Sequence, residues 1–327
     1  MLRIVARRLL SAVPLVAGVL TLTFLLVEAA PGRPVDLLLG DGPVPEVTRA
    51  RIEAAYGLDR PPYARYASWM GSALCGDLGW SLSRGRAVRS VLADALPQTA
   101  VLAVAALTIQ LLLGVAVGAL QVARPGGALD QGLGLASLVV ASVPTFWLGL
   151  MAILVLAVDV PIFPPSSARS IGAEGFGVAA RAADALWHVA LPALVLGVGS
   201  AAAIARFVRA GLARSLDEGF VRAARARGAS RGRLLWRHAL PAAAGPVITL
   251  MGLQLPVLVS GALVVEVVFG WPGMGRVTYD AVMAQDLPVV LAAVLLATIV
   301  VAAGSLLADL GLAVVDPRLR PGRGVRR

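Results

Sequence analysis

Ser215–Pro241 reads SLDEGFVRAARARGASRGRLLWRHALP and separates two long apolar segments. A run this rich in charge cannot lie in hydrocarbon, so its place is a loop at a membrane face. Its own chemistry predicts a short helix there. Ser215 and Glu218 have the spacing of a capping box, in which hydroxyl and carboxylate each satisfy an orphan N–H. Asp217 and Glu218 suit the positive end of the helix dipole, and Arg225 and Arg227 suit the negative end. Gly228 permits the left-handed residue that stops the helix. The expectation is a helix of about three turns, outside the bilayer, carrying the small residues Ala223 and Ala224.

Working outward, the chain has 327 residues, 58% hydrophobic and only 15% charged, the composition of a polytopic membrane protein. The net charge of +10 does not indicate nucleic acid, because aromatic residues are few and the arginines gather in short loops beside apolar runs. All 29 basic residues are Arg. Without Lys the chain holds no standard phosphate-binding P-loop, so ATP-driven work would need another subunit. One cysteine, Cys75, excludes an internal disulfide framework and a Cys-based metal cluster. The two histidines, His188 and His238, are far apart in the expected topology. No metal site and no catalytic residues are expected.

Ala223-Ala224, three residues, Gly228, nine residues, then His238-Ala239-Leu240-Pro241 resembles the "EAA" loop of importer-type ABC transporter permeases. Arg222 stands for the usual Glu and His238 for the usual Ile. Both departures resemble the dipeptide/oligopeptide/nickel branch, which often reads RTARAKG…RHAL. Small side chains suit a close seat against a partner. The alternative from the residues alone is a basic amphipathic helix lying on lipid headgroups, which does not require the Gly and Leu-Pro spacing.

In chain order, residues 1–28 are expected to form the first transmembrane helix. The basic start and Val27-Glu28-Ala29 resemble a signal peptide, but the apolar run is longer than a usual signal core. Residues 29–96 form an external segment with short amphipathic helices expected at Arg49–Ala55 and Tyr63–Ala73. Tyr56-Gly57-Leu58-Asp59-Arg60-Pro61 and Gly76-Asp77-Leu78-Gly79 are similar to signatures of the same branch. The permease core is expected over 97–312, with spans at Gln98–Val122, Leu129–Val158, Trp187–Phe207, Ala242–Val265 and Pro288–Leu310. Pro144, in the run Pro144-Thr145-Phe146-Trp147, is expected to kink the third span. Asp159–Leu186 reads as a second external loop, residues 211–241 as the cytoplasmic coupling loop and 313–327 as a cytoplasmic tail. Val265–Gly275 and Asp316-Pro317-Arg318 resemble further runs of the family.

The reading is therefore an all-α membrane protein of six transmembrane helices, with an external segment between the first two. The resemblance implies the type I ABC importer permease fold. It implies half of a path for di- or oligopeptides across a bacterial or archaeal inner membrane, or for nickel or another small solute. Implied partners are a second homologous permease, commonly a different one, two ATPase subunits holding ATP and Mg, an external substrate-binding protein and membrane lipid. The chain itself would bind no cofactor and no nucleic acid. Coupling is expected to involve Asp217, Glu218, Arg222, Ala223, Ala224, Arg225, Gly228, Leu240 and Pro241. Gln110, Ser142, Pro144, Gln254 and Glu266 are the candidates for the path. Three arginines before the first span, one at Arg124, nine between Arg206 and Arg237 and five after the last span put 18 of 29 on one side. The positive-inside bias then sets both termini and the coupling loop in the cytoplasm. A stand-alone secondary transporter would place ionisable groups within spans, whereas here charges sit near span ends. A membrane enzyme lacks any clustered His, Cys or paired intramembrane carboxylates.

Overall fold

The computed structural model describes residues 2–30, 46–47, 54, 57 and 59–315, with side chains at 2–7, 9, 246, 248–249, 252–261 and 308–315 outside the description. The expected helix at Arg49–Ala55 and the Asp316-Pro317-Arg318 run therefore lie outside the described residues. Helices α1 (Leu2–Glu28), α2 (Pro62–Leu74), α3 (Val88–Ala123), α4 (Ala128–Ser142), α5 (Thr145–Ile153) and α6 (Val178–Leu216) follow one another. Then come α7 (Gly219–Ala226), α8 (Arg231–Arg233), α9 (Leu240–Val268), α10 (Met274–Met283) and α11 (Leu287–Val315). Two-residue strands β1 (Trp80–Ser81) and β2 (Arg86–Ala87) pair antiparallel, Trp80 opposite Ala87.

Among the described residues four helices are long and apolar enough to cross a membrane: α1, α3, α6 and α11. A fifth span forms if α4 and α5 are taken together. The 29-residue α9 stands where the sequence places another span, and its length suffices for one. Helices exceed the expected spans. α3 starts at Val88, ten residues before Gln98, and continues through Pro97. α6 starts nine residues before Trp187 and ends nine after Phe207. At 1.5 Å per residue, roughly 30 Å of hydrocarbon takes only about 20 residues, so both helices project beyond it.

The third span is broken rather than kinked: α4 and α5 meet at 100°. Val143 (φ −80°, ψ 130°) and Pro144 (φ −59°, ψ 134°) are both extended. Proline disfavours the helical region for the residue before it and cannot itself donate, so the ladder stops at both.

Two compact units emerge, one over 100–271 with the end of α11 from residue 303, the other from Arg3 to Thr99 with 272–302. In the first, α3 and α6 meet through glycines. A Cβ on Gly114 would fall 2.5 Å from Cβ of Ile204, and one on Gly118 would fall 2.7 Å from the Ala205 carbonyl oxygen. From the other side, a Cβ on Gly197 would lie 2.7 Å from Ile109. Above this contact Leu102, Ala106, Leu191, Val195, Phe269 and Trp271 form one core; below it Ala119, Ile204, Val208, Leu212 and Ala243 form another. The segment before α6 is tied down by polar bonds. Asp184 accepts from Ser170 N and Oγ (3.0 and 2.6 Å), and Trp187 Nε1 donates to the Ile162 carbonyl (2.7 Å).

In the second unit α1 packs Leu20 and Phe24 on Leu291, with Tyr66 and Trp69 of α2 beside them. Arg65 pairs with Glu28, and Tyr66 shares a hydrogen bond with Thr21. At the start of α11 the Asp286 carbonyl accepts from Val290 N (3.0 Å), while one oxygen of its buried carboxylate accepts from Ser81 Oγ (2.6 Å), Ser83 N (3.0 Å) and Ser83 Oγ (2.7 Å).

The α3–α6 contact yields a stability test. Gly118→Ala must push a Cβ against backbone and is expected to destabilise the protein by about 1–3 kcal/mol. Gly132→Ala meets open space on α4 and is expected to be neutral or stabilising by up to ~1 kcal/mol. Thermal unfolding of the purified variants in detergent measures both; an unchanged midpoint for Gly118→Ala would show that the interface opens freely.

Candidate functional site

The segment between α6 and α9 is built from its own turns upward. α6 ends at Leu216 with Asp217 as C-cap, and Glu218, extended at φ −68° and ψ 148°, begins α7. The Glu218 carbonyl accepts from Val221 N and Arg222 N, both at 3.1 Å. At the far end Gly228 is left-handed, φ +84°. Gly228 N donates to the Arg225 carbonyl (3.0 Å) and Ala229 N to the Ala224 carbonyl (3.2 Å), the two bonds of a Schellman stop. Ser230 Oγ then accepts from Arg233 N, capping α8. The π-helical turn Leu234–Ala239 carries the chain into α9.

The helix stop agrees with the sequence reading; the start does not. Ser215 is buried in the last turn of α6, and Glu218 occupies the N-cap position with no side-chain cap bond, so no capping box forms. The reason is tertiary: Leu212 is buried and Gly211 lies against Ala243 of α9, which keeps the chain helical past residue 215. α7 is eight residues, about two turns rather than three.

One face of α7 is fixed and the other is open. Val221 and Ala224 are buried with Leu234, and Leu216 and Ala229 close that small core. Asp217, Glu218, Phe220, Arg222, Ala223, Arg225 and Gly228 are exposed. The two alanines therefore part company. Ala224, 3% exposed, supports α7 from beneath, and Ala223 alone can face a partner. Leu240 is half-buried and Pro241 exposed in the first turn of α9.

The path candidates separate too. Ser142 and Pro144 come together at the α4–α5 break, where with Leu138, Val139, Phe146 and Trp147 they line an open apolar recess of about 530 Å³. Gln110 and Glu266 are each 0% exposed and lie away from that recess. Gln110 is enclosed, with no hydrogen-bond partner for either amide atom among the described residues. Glu266 is buried in the last turn of α9, where its carbonyl accepts from Trp271 N, instead of reaching an interface. The Gln254 side chain lies outside the described residues. Among the described residues no cluster of His, Cys, Asp and Glu is placed to hold a metal ion.

Sequence reasoning missed one pair. Asp130, in the first turn of α4, accepts from Arg209 Nε (2.9 Å) and Nη2 (2.7 Å) and from Gly126 N (3.0 Å). An acid three residues after the Arg124-Pro125-Gly126-Gly127 turn is the one local signal that marks it.

Residues 110–321 match the family model of the binding-protein-dependent transport system inner membrane component, and residues 1–103 match that of its N-terminal membrane component. The chain belongs to this family. Its peptide branch is represented by an oligopeptide transport system permease protein of Bacillus subtilis (strain 168), 34% identical over 316 residues, 96% of this chain and 98% of that one. A dipeptide transport system permease protein of Escherichia coli (strain K12) is also 34% identical, covering 98% of this chain and 99% of its own length. Among solved structures, the inward-facing MetNI methionine ABC transporter superposes with a TM-score of 0.53 at 20% identity, over 70% of this chain and 97% of that chain. That likeness shows the type I importer permease fold. The chain is thus an inner-membrane permease subunit of the peptide/nickel branch, with ATP hydrolysis in separate subunits and a substrate-binding protein among its partners.

The division of the alanines is directly testable. Ala224→Leu overfills the core beneath α7 and is expected to destabilise it by about 1–3 kcal/mol, seen as faster proteolysis between residues 217 and 230. Ala223→Leu is expected to leave proteolysis unchanged while weakening capture of the ATPase subunits. The reverse pattern would invert the assignment of the two faces.

Proposed function

We propose that this chain forms half of the translocation path of a peptide importer, with a second, different permease as the other half. Two ATPase subunits holding ATP and Mg dock on its cytoplasmic face, and an external binding protein delivers di- or oligopeptides. The substrate class rests on relatives that are named as dipeptide and oligopeptide permeases and match over nearly the whole chain. Both termini and α7 lie in the cytoplasm, supported by the arginine distribution.

The observation that carries the reading is the construction of α7. It is held rigidly between two long helices by Val221, Ala224 and Leu234, stopped by a left-handed glycine, and left open on the face bearing Arg222, Ala223 and Arg225. A rigid exposed helix of this kind suits a groove in an ATPase subunit. When ATP binding draws the ATPase pair together, the seated helix carries the movement into α6 and α9. Asp217, Glu218, Arg222, Ala223 and Arg225 supply the contact, Gly228 and Ala224 hold its shape, and Leu240-Pro241 set the start of α9. Ser142 and Pro144, at the broken third span, are the residues of this chain proposed for the path. The chain performs mechanical work and no bond chemistry.

Gly228→Val places a β-branched residue at φ +84°, a strongly disfavoured conformation. The variant is expected to insert and to assemble, and to lose most ATP-dependent uptake in proteoliposomes. Normal coupled uptake would sink the coupling assignment. Purification from native membranes in mild detergent, with mass spectrometry of co-purified chains and bound ligand, tests partners and substrate together. A second permease, ATPase subunits and a retained peptide are the expected recovery; a retained nickel complex would overturn the peptide assignment.

A further inference from the structure

We propose that Asp130 and Arg209 form a positioning clasp that makes the first half of the third span move with the coupling segment, an inference that rests on the importer reading above. Asp130 sits in the first turn of α4, and it is the one buried residue of that helix, 5% exposed. Every other residue of α4 is partly or fully exposed, so hydrophobic packing within this chain does little to hold it. What holds it is polar. Both oxygens of Asp130 are taken by the Arg209 guanidinium, one through Nε at 2.9 Å and the other through Nη2 at 2.7 Å. Gly126 N adds a third bond at 3.0 Å, and Gln121 Nε2 donates to the Asp130 carbonyl at 3.3 Å.

A two-bond fork fixes orientation as well as distance, which a single point charge does not. Arg209 belongs to α6, which runs unbroken to Leu216. It therefore lies seven residues, about two turns and roughly 10 Å, before the point where α7 is anchored. Asp130 lies twelve residues before Ser142, where α4 meets the 100° break. Displacement of α7 turns α6, α6 carries Arg209, and Arg209 carries α4 and the Ser142–Pro144 corner with it. The pair touches no substrate; its role is to make two helices one lever.

The test uses Asp130→Asn, Arg209→Lys and the exchanged pair Asp130→Arg/Arg209→Asp. Each is reconstituted with the ATPase subunits and with the binding protein loaded with a mixture of di- and tripeptides. Asp130→Asn is expected to keep basal ATPase activity and assembly while cutting the stimulation by loaded binding protein at least fivefold. Arg209→Lys is expected to fall between it and the natural chain, and the exchanged pair to recover more stimulation than either single change. Full stimulation in Asp130→Asn, no recovery in the exchanged pair, or loss of assembly in all three overturns the clasp.

A second readout does not depend on transport. Spin labels on Gly132→Cys and Gly219→Cys, in a Cys75→Ser background of the full chain in detergent, report the distance between α4 and α7. A narrow distribution that broadens on adding Asp130→Asn supports the clasp, and an unchanged distribution overturns it. If the natural complex shows neither stimulation nor uptake, the importer reading fails, and the label distances still decide the clasp.

Discussion

The close contact of α3 with α6 at glycines is the constraint on which the first unit depends. In a bilayer the apolar effect does not drive one helix onto another, so close backbone approach and dispersion must do it. Gly114, Gly118 and Gly197 supply that approach at three levels along the two helices. The glycines leave room for Ile204, Val208 and Ile109 against the facing backbone, and further apolar side chains pack to either side. There they build the two cores, one around Phe269 and Trp271 and one around Val208 and Leu212. α9 then closes on α6 at Gly211, which sets where α6 stops and where α7 begins. The segment between α6 and α9 thus inherits its position from helix packing within the first unit.

How far the sequence discloses this depends on the range of each interaction. The stop of α7 was legible because a Schellman turn is decided by the glycine itself and its immediate neighbours. A disturbance at Pro144 was legible for the same reason, but only as a kink; the 100° break needed the extended conformation of both Val143 and Pro144. The start of α7 was not, because Ser215 can cap a helix only if the previous helix has ended, and α9 decides that from outside the segment. Ala223 and Ala224 look equivalent in a string; only the buried neighbours Val221 and Leu234 tell them apart. Gln110 and Glu266 are polar residues in apolar runs, a pattern that suggests a path, yet both are enclosed by their own chain. Asp130 and Arg209 stand 79 residues apart, and nothing local couples them.

The two helix breaks have different mechanical characters. The α4–α5 corner is made by residues in extended conformation, with an open recess beside it. The junction of α8 and α9 is a π-helical turn that preserves a continuous hydrogen-bonded rod. In the proposed coupling, movement entering at α7 would meet a stiff element on the α9 side and a corner on the α4 side.

The Asp286 carboxylate has a consequence for the order of biosynthesis. It holds Ser81 from 205 residues further along the chain and closes the β1–β2 turn by accepting from both the backbone and the hydroxyl of Ser83. A two-stranded ribbon is at best marginally stable alone. At a synthesis rate of about 5–20 residues per second, the ribbon emerges on the order of 10–40 s before the carboxylate that secures it. During that interval Ser81 Oγ can still accept from Arg84 N within the turn, but neither serine has the carboxylate to donate to. The ribbon is therefore secured only after the residue that precedes α11 has been made, so a ribosome that stops short of Asp286 leaves Ser81 and Ser83 without the carboxylate that holds them.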